Sequence, residues 1–180
     1  FGALGEDGFR AAIVLLECGR DHFRRWQLLR AAWRPGLERE LIALASGPAL
    51  PNYASWTVLR GLGVADTPAV RAYLRERLDG EQDAGLWMAA AQGMVLLGAQ
   101  EAADTIGERV LELRPGWSGV EPHLVTALGE LGGPAAVAQL EKIAAHPRCP
   151  SAERAQNLLD RIDAEAAARA RRARRDADGR

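Results

Sequence analysis

Four side chains in this sequence have the types that hold zinc, and they come in two close pairs, Cys18 with His22 and His146 with Cys149. A structural zinc site needs four such ligands around one tetrahedral ion. The pairs sit near opposite ends of the chain, so only a fold that joins those ends could use them together. His123 lies in one segment with Glu121 and Glu130, which offers a base and carboxylates but no paired-histidine zinc motif. There is no glycine-rich phosphate loop and no Gly-x-Ser-x-Gly elbow. The residues therefore predict no catalytic set, no metal and no cofactor, and the chain is expected not to be an enzyme.

Charge placed at a fixed interval is the second chemical feature. Arg75, Glu108 and Glu141 recur at one constant interval, and Glu76, Arg109 and Lys142 follow them one position on. With Arg39 and Arg71 they make a candidate mixed-charge partner site. The competing reading is a solvated face whose ion pairs are worth about 0–1 kcal/mol each. Trp26, Trp56, Trp87 and Trp117 also recur at nearly even intervals. Measured from the glycines that end their helices, the last three drift by about one helical turn each, so they do not form one ladder. Trp26, Trp33, Trp56 and Trp87 are expected in the core. Trp117, between glycines in Pro115-Gly-Trp-Ser-Gly, is the candidate exposed anchor, since Trp is favoured at binding hot spots.

These positions must be carried by helices. Leu62-Gly63, Leu97-Gly98 and Leu131-Gly132 each end an apolar helical stretch. The interval between them is about 35 residues both times, a period that marks a repeat architecture. Pro35, Pro68, Glu101 and Pro134 open the second helices at a constant spacing. Proline suits a helix start because its missing amide costs nothing there. Asp66 and Thr67 are expected to cap the helix that Pro68 begins. The predicted helices cover 7–18, 21–33, 36–46, 52–62, 67–78, 83–97, 101–113, 119–131 and 134–145, with a last one from Ser151. Second helices carry apolar residues at helical spacing, such as Val70, Leu74 and Leu78, or Val137, Leu140 and Ile143. In such a stack the two Cys/His pairs lie roughly 30–40 Å apart at the packing distance of helices, which excludes a shared metal or disulfide.

Leu128-Gly-Glu-Leu-Gly-Gly-Pro-Ala-Ala-Val, with Leu140 and Ile143, resembles the HEAT-like repeats first associated with phycobilin lyases. Leu59-Arg-Gly-Leu-Gly with Thr67-Pro-Ala-Val, and Val95-Leu-Leu-Gly with Glu101-Ala-Ala, are weaker copies. The resemblance implies an all-α, right-handed α-solenoid of about four to five helix-pair repeats, its second helices lining a concave face. Ala155, Leu158, Leu159 and Ile162 supply a C-terminal capping helix of the kind terminal repeats require. The solenoid is expected over 1–163 as one domain, followed by a basic helical or disordered tail over 164–180. Family members of this type mostly bind proteins. No iron-binding His-Glu pair of the HEAT-repeat hydroxylases is present, and no catalytic residue carries over.

Composition bounds the function further. The 180 residues have a formal net charge of -1, with 22 arginines against the single Lys142, a bias that a GC-rich genome explains as readily as phosphate binding. The tail carries +3, which leaves -4 over residues 1–163 and argues against a polyanion as main partner. The longest strongly apolar run, Ala11 to Leu16, is far shorter than the ~20 residues of a bilayer span. No signal peptide is evident, so a cytoplasmic protein is expected. Phe1, Leu4, Phe9, Ile13 and Leu16 are expected to form an apolar face with no intact first helix to cover it, which predicts a missing upstream segment, a partner chain docked there, or self-association. The expected function is a protein-binding scaffold or adaptor. The alternatives are a nucleic-acid binder using its arginines, and a lyase or chaperone of the HEAT-repeat type.

Overall fold

The structure, a computed structural model, describes residues 36, 38–46, 52–81, 83–112 and 119–178. The expected helices over 7–18 and 21–33, the Pro35 turn, the N-terminal apolar face, the Cys18/His22 pair and Trp117 lie outside the described residues. Among the described residues the regular elements are α-helices and one 3-10 turn, with no strand. They fall into two compact units that part between Ala102 and Ala103. The pair expected over 83–97 and 101–113 straddles that boundary.

The first unit contains α1 (Glu38–Ser46), α2 (Asn52–Leu62), α3 (Pro68–Gly80), α4 (Ala84–Leu96) and the 3-10 turn Gln100–Ala102. Helix α3 starts where Pro68 and its cap require. Thr67 is extended, and its hydroxyl accepts the Val70 amide at 3.3 Å. Its Val70, Leu74 and Leu78, four residues apart, are fully buried. At α4 the cap is Asp83, which accepts the Leu86 amide at 2.9 Å.

Helix α4 is unlike an amphipathic repeat helix. Trp87, Ala89, Ala90, Ala91, Gly93 and Met94 are buried, Met88, Gln92 and Val95 are half-buried, and Leu96 at its end is exposed. A helix apolar all round belongs in the interior, and α4 packs against both α2 and α3. The Trp87 indole N–H donates to the Leu78 carbonyl at 2.8 Å, which satisfies the one polar atom that its burial would strand.

The glycines expected to close the first helices divide into two kinds. Gly98 and Gly132 have φ of +64° and +60°, the left-handed region that glycine enters freely. Gly63 does not have a positive φ. A Cβ there would fall on the carbonyl oxygen of Gly93 and stand 2.8 Å from the Leu96 Cβ. In turn, a Cβ on Gly93 would stand 2.9 Å from the Leu59 carbonyl oxygen. These two glycines let the backbones of α2 and α4 meet. At Gly63 the absence of a side chain, and not backbone freedom, is what the position uses.

The second unit contains α5 (Ala103–Glu112), α6 (Glu121–Leu131), α7 (Gly133–Ala144) and α8 (Ala152–Asp178). Helix α5 packs on both α6 and α7. Ile106, Val110, Leu124, Leu128, Leu140 and Ile143 form its core. Val137, predicted with Leu140 and Ile143, is only half-buried, and Ala136 takes the inward place. Helix α8 covers α6 and α7 as a cap should. Its Leu158 methyl reaches so close to Gly129 that a Cβ there would sit 2.8 Å away.

The boundary expected at residue 163 is not a break in the helix, since α8 runs on to Asp178. Beyond Ile162 its side chains through Ala173 are exposed except for half-buried Ala168. Alanine and arginine dominate this stretch, and both are strong helix formers. The 27 residues give a rod of about 40 Å.

Candidate functional site

The charged positions singled out from the sequence separate into committed and uncommitted groups. Arg71 is committed. Its Nε meets the Asp66 carboxylate at 2.7 Å, Nη1 meets Glu101 at 3.4 Å, and Nη2 donates to the Leu97 carbonyl at 3.2 Å. One guanidinium therefore ties the α2–α3 turn to the segment that follows α4. The Asp66 carboxyl is held below its usual range by the hydrogen bond from Arg71, and the guanidinium is raised by the same bond. Arg75 meets Asp79 at 3.3 Å and donates to the Glu101 carbonyl at 3.1 Å. Arg109 is largely covered, its side chain 11% exposed, and lies 3.8 Å from Glu112. Arg77 donates to the Tyr73 hydroxyl at 3.2 Å and meets Glu81 at 3.4 Å.

Arg39, Glu76, Glu108, Glu141 and Lys142 are exposed, and among the described residues none makes an ion pair. Arg39 and Glu76 lie on α1 and α3 of the first unit, and Glu108, Glu141 and Lys142 on α5 and α7 of the second. Trp117 lies outside the described residues. Trp87 is core as expected, while Trp56 is half-buried with the Arg60 guanidinium 5.7 Å from its ring centroid.

Two features escaped the sequence. The first is an open groove of about 470 Å³ along the start of α8, lined by Pro150, Glu153, Arg154, Asn157, Leu158 and Arg161. Arg154, Asn157 and Arg161 are spaced by three and four residues and so share a helix face. That face flanks the apolar stripe of Ala155 and Leu158, and the spacing alone would have found it. An Arg154 Nη1 donates to the Thr126 hydroxyl at 3.2 Å, and that hydroxyl donates to the Pro122 carbonyl at 2.9 Å.

The second is a buried polar knot in the same unit. Glu121 is 6% exposed. One of its carboxylate oxygens accepts the Ser151 amide at 2.9 Å and the Cys149 thiol at 3.3 Å. The side chain from the first turn of α6 thus closes the loop leading into α8. Burial, chiefly, and the neighbouring Glu121 carboxylate push the Cys149 thiol upward, against a lowering hydrogen bond from the Ser151 backbone. A protonated donor is what the geometry needs. Cys149 thus contacts Glu121, and its expected neighbour His146 serves it only through the backbone carbonyl, at 3.1 Å from the Cys149 amide.

Comparison with known protein families, with curated proteins and with solved structures finds no match.

The chemistry must then be read from the residues alone. Among the described residues no group of three or more His, Cys, Asp or Glu is placed to hold a metal. No described helix is long and apolar enough to cross a membrane. Among the described residues the buried polar side chains Glu121, Gln139 and Ser151 all lie in the second unit. Glu121 and Ser151 hold the loop into α8, and Gln139 joins α7 to Asp104 of α5 through its amide nitrogen.

Proposed function

We propose that the protein is a non-catalytic binding scaffold built of HEAT-like helix pairs in a right-handed α-solenoid, with α8 as its terminal cap and a protein as its partner. The packing within each unit supports the repeat reading. In the first unit the two first-position helices, α2 and α4, lie against each other; in the second the two second-position helices, α5 and α7, do so. The observation that carries the function is the uncommitted charge of Glu76, Glu108, Glu141 and Lys142. These side chains sit on helices whose inner faces are fixed by buried Leu74, Ile106 and Leu140, so the charges are presented by rigid supports. Charged groups on a rigid surface give specificity and steer encounter more than they add raw affinity.

The test is affinity purification from the native host followed by mass spectrometry, comparing the wild type with E76K/E108K/E141K/K142E. Partners enriched on the wild type should be lost from the variant while its circular-dichroism melt is unchanged. The same partners on both proteins would refute the reading. A second reading, nucleic-acid contact, is favoured by the exposed arginines Arg169, Arg171 and Arg172 of α8. It requires affinity that falls steeply with salt as counterions are released.

A further inference from the structure

The arginines of the groove on α8 differ from the three on α3. Arg71, Arg75 and Arg77 each meet a carboxylate of their own chain. Arg154 and Arg161 are exposed, and among the described residues neither is paired with a carboxylate. Arg154 is nevertheless held. Its Nη1 is fixed by Thr126, itself anchored on Pro122, which leaves the rest of the guanidinium free. A neutral hydroxyl orients the cation without neutralising it. Arg161 is seven residues further on, about 10 Å along the axis, with the Asn157 amide between them.

From this arrangement we propose that the groove binds a short acidic peptide segment of a partner protein. Two unneutralised guanidiniums offer forked donors to two carboxylates, the geometry for which arginine is suited. Asn157 offers both an amide N–H and a carbonyl to a peptide backbone. Leu158 and Pro150 give the floor and one end an apolar character that a peptide side chain can cover. Glu153 decides between ligand classes. A carboxylate in the lining repels a continuous phosphate backbone, whereas a peptide can place a neutral or basic residue beside it. The volume of about 470 Å³ lies in the range of sites that take small ligands and short segments. The site is on a different helix from the charged positions of α1, α3, α5 and α7, so its failure leaves the scaffold reading intact.

The experiment is fluorescence anisotropy with the full chain and three labelled probes: a short peptide of alternating glutamate and leucine, its glutamine counterpart, and a short oligo-dT strand. The glutamate peptide should bind saturably and at least about tenfold more tightly than the glutamine one. R161Q, which removes a side chain with no ion pair to lose, should weaken it about tenfold, and R154Q/R161Q further, with thermal melts unchanged. T126V should also weaken it, because Arg154 loses its anchor. Equal binding of the two peptides, indifference to R161Q, or tighter binding of oligo-dT through the same arginines would each overturn the proposal.

Discussion

Replacing Gly63 with alanine tests the close approach of α2 and α4. Alanine suits the backbone here, since φ is not positive, and it should lower the entropy of the unfolded chain. That effect alone favours the variant by about 0.4–1 kcal/mol. Against it stands the new methyl carbon. It would overlap the Gly93 carbonyl oxygen and stand 2.8 Å from the Leu96 Cβ and 2.9 Å from the Gly93 Cα. Ordinary contacts need about 3.5–4 Å, so something must move by more than half an ångström. None of these atoms is the free end of a long side chain, so the helices themselves must part. Helix α4 packs on both α2 and α3, and its shift disturbs buried Leu59, Leu74 and Met94 as well. Overpacking of this type costs about 1–3 kcal/mol. The net expectation is a loss of about 1–2 kcal/mol, or roughly 0.5–1 M in the urea midpoint at the slopes typical of small proteins. Gly80→Ala is the control. Gly80 ends α3 with nothing within 4 Å of the added carbon, so the same substitution should stabilise by about 0.5 kcal/mol. Urea melts followed by circular dichroism give both signs in one series. A G63A midpoint at or above that of the wild type would refute the argument.

Three further outcomes follow from the buried polar groups of the second unit. Gln139 is 1% exposed, its amide nitrogen donates to Asp104, and its carbonyl oxygen is buried without a partner. Q139E buries a carboxylate beside Asp104, so it should cost about 3 kcal/mol at neutral pH and recover as acid protonates the pair, which urea melts from pH 7 to 4 would show. Cys149 should react slowly with iodoacetamide in the folded chain, measured in a C18S background, and quickly once unfolded. Its raised thiol also sets a sign: the stabilisation is complete below the unfolded thiol value near 8.5 and fades as pH rises through the folded one. C149A should remove that part of the alkaline loss, and an unchanged slope between pH 8 and 10 would contradict a thiol raised by its burial beside Glu121.

Helix starts were legible where chemistry is local. Pro68 with Thr67, and Pro134 after Gly132, mark α3 and α7 within a residue of where the sequence places them. Helix interiors were legible through the four-residue rhythm of Val70, Leu74 and Leu78. The role of Gly63 was not, because a glycine that ends a helix and one that admits another backbone look alike until the second backbone is in place. The ties of Arg71 and Arg75 to the segment after α4 were hidden for the same reason, unlike their pairs with nearby Asp66 and Asp79. Their partners Glu101 and Leu97 lie beyond the whole of α4 in sequence and meet them only through the turn that follows it. The groove on α8 was written in the spacing of Arg154, Asn157 and Arg161, but the apolar stripe beside it drew the reading toward capping alone.

Helix α8 serves the second unit as a lid and then continues without interruption into solvent. A rod of this kind is a lever. Its fulcrum is the Leu158 contact on Gly129, and its inner end is pinned where Glu121 grips the Ser151 amide. Measured from that fulcrum, the outer arm to Asp178 is about 30 Å long, whereas the inner arm back to Ser151 is about 10 Å. A sideways pull at the tip is therefore amplified at the seat by roughly the ratio of the two arms. Whatever grasps the arginine-rich end applies torque directly to the lid, and the first contacts to give under load are those that close the core of the second unit.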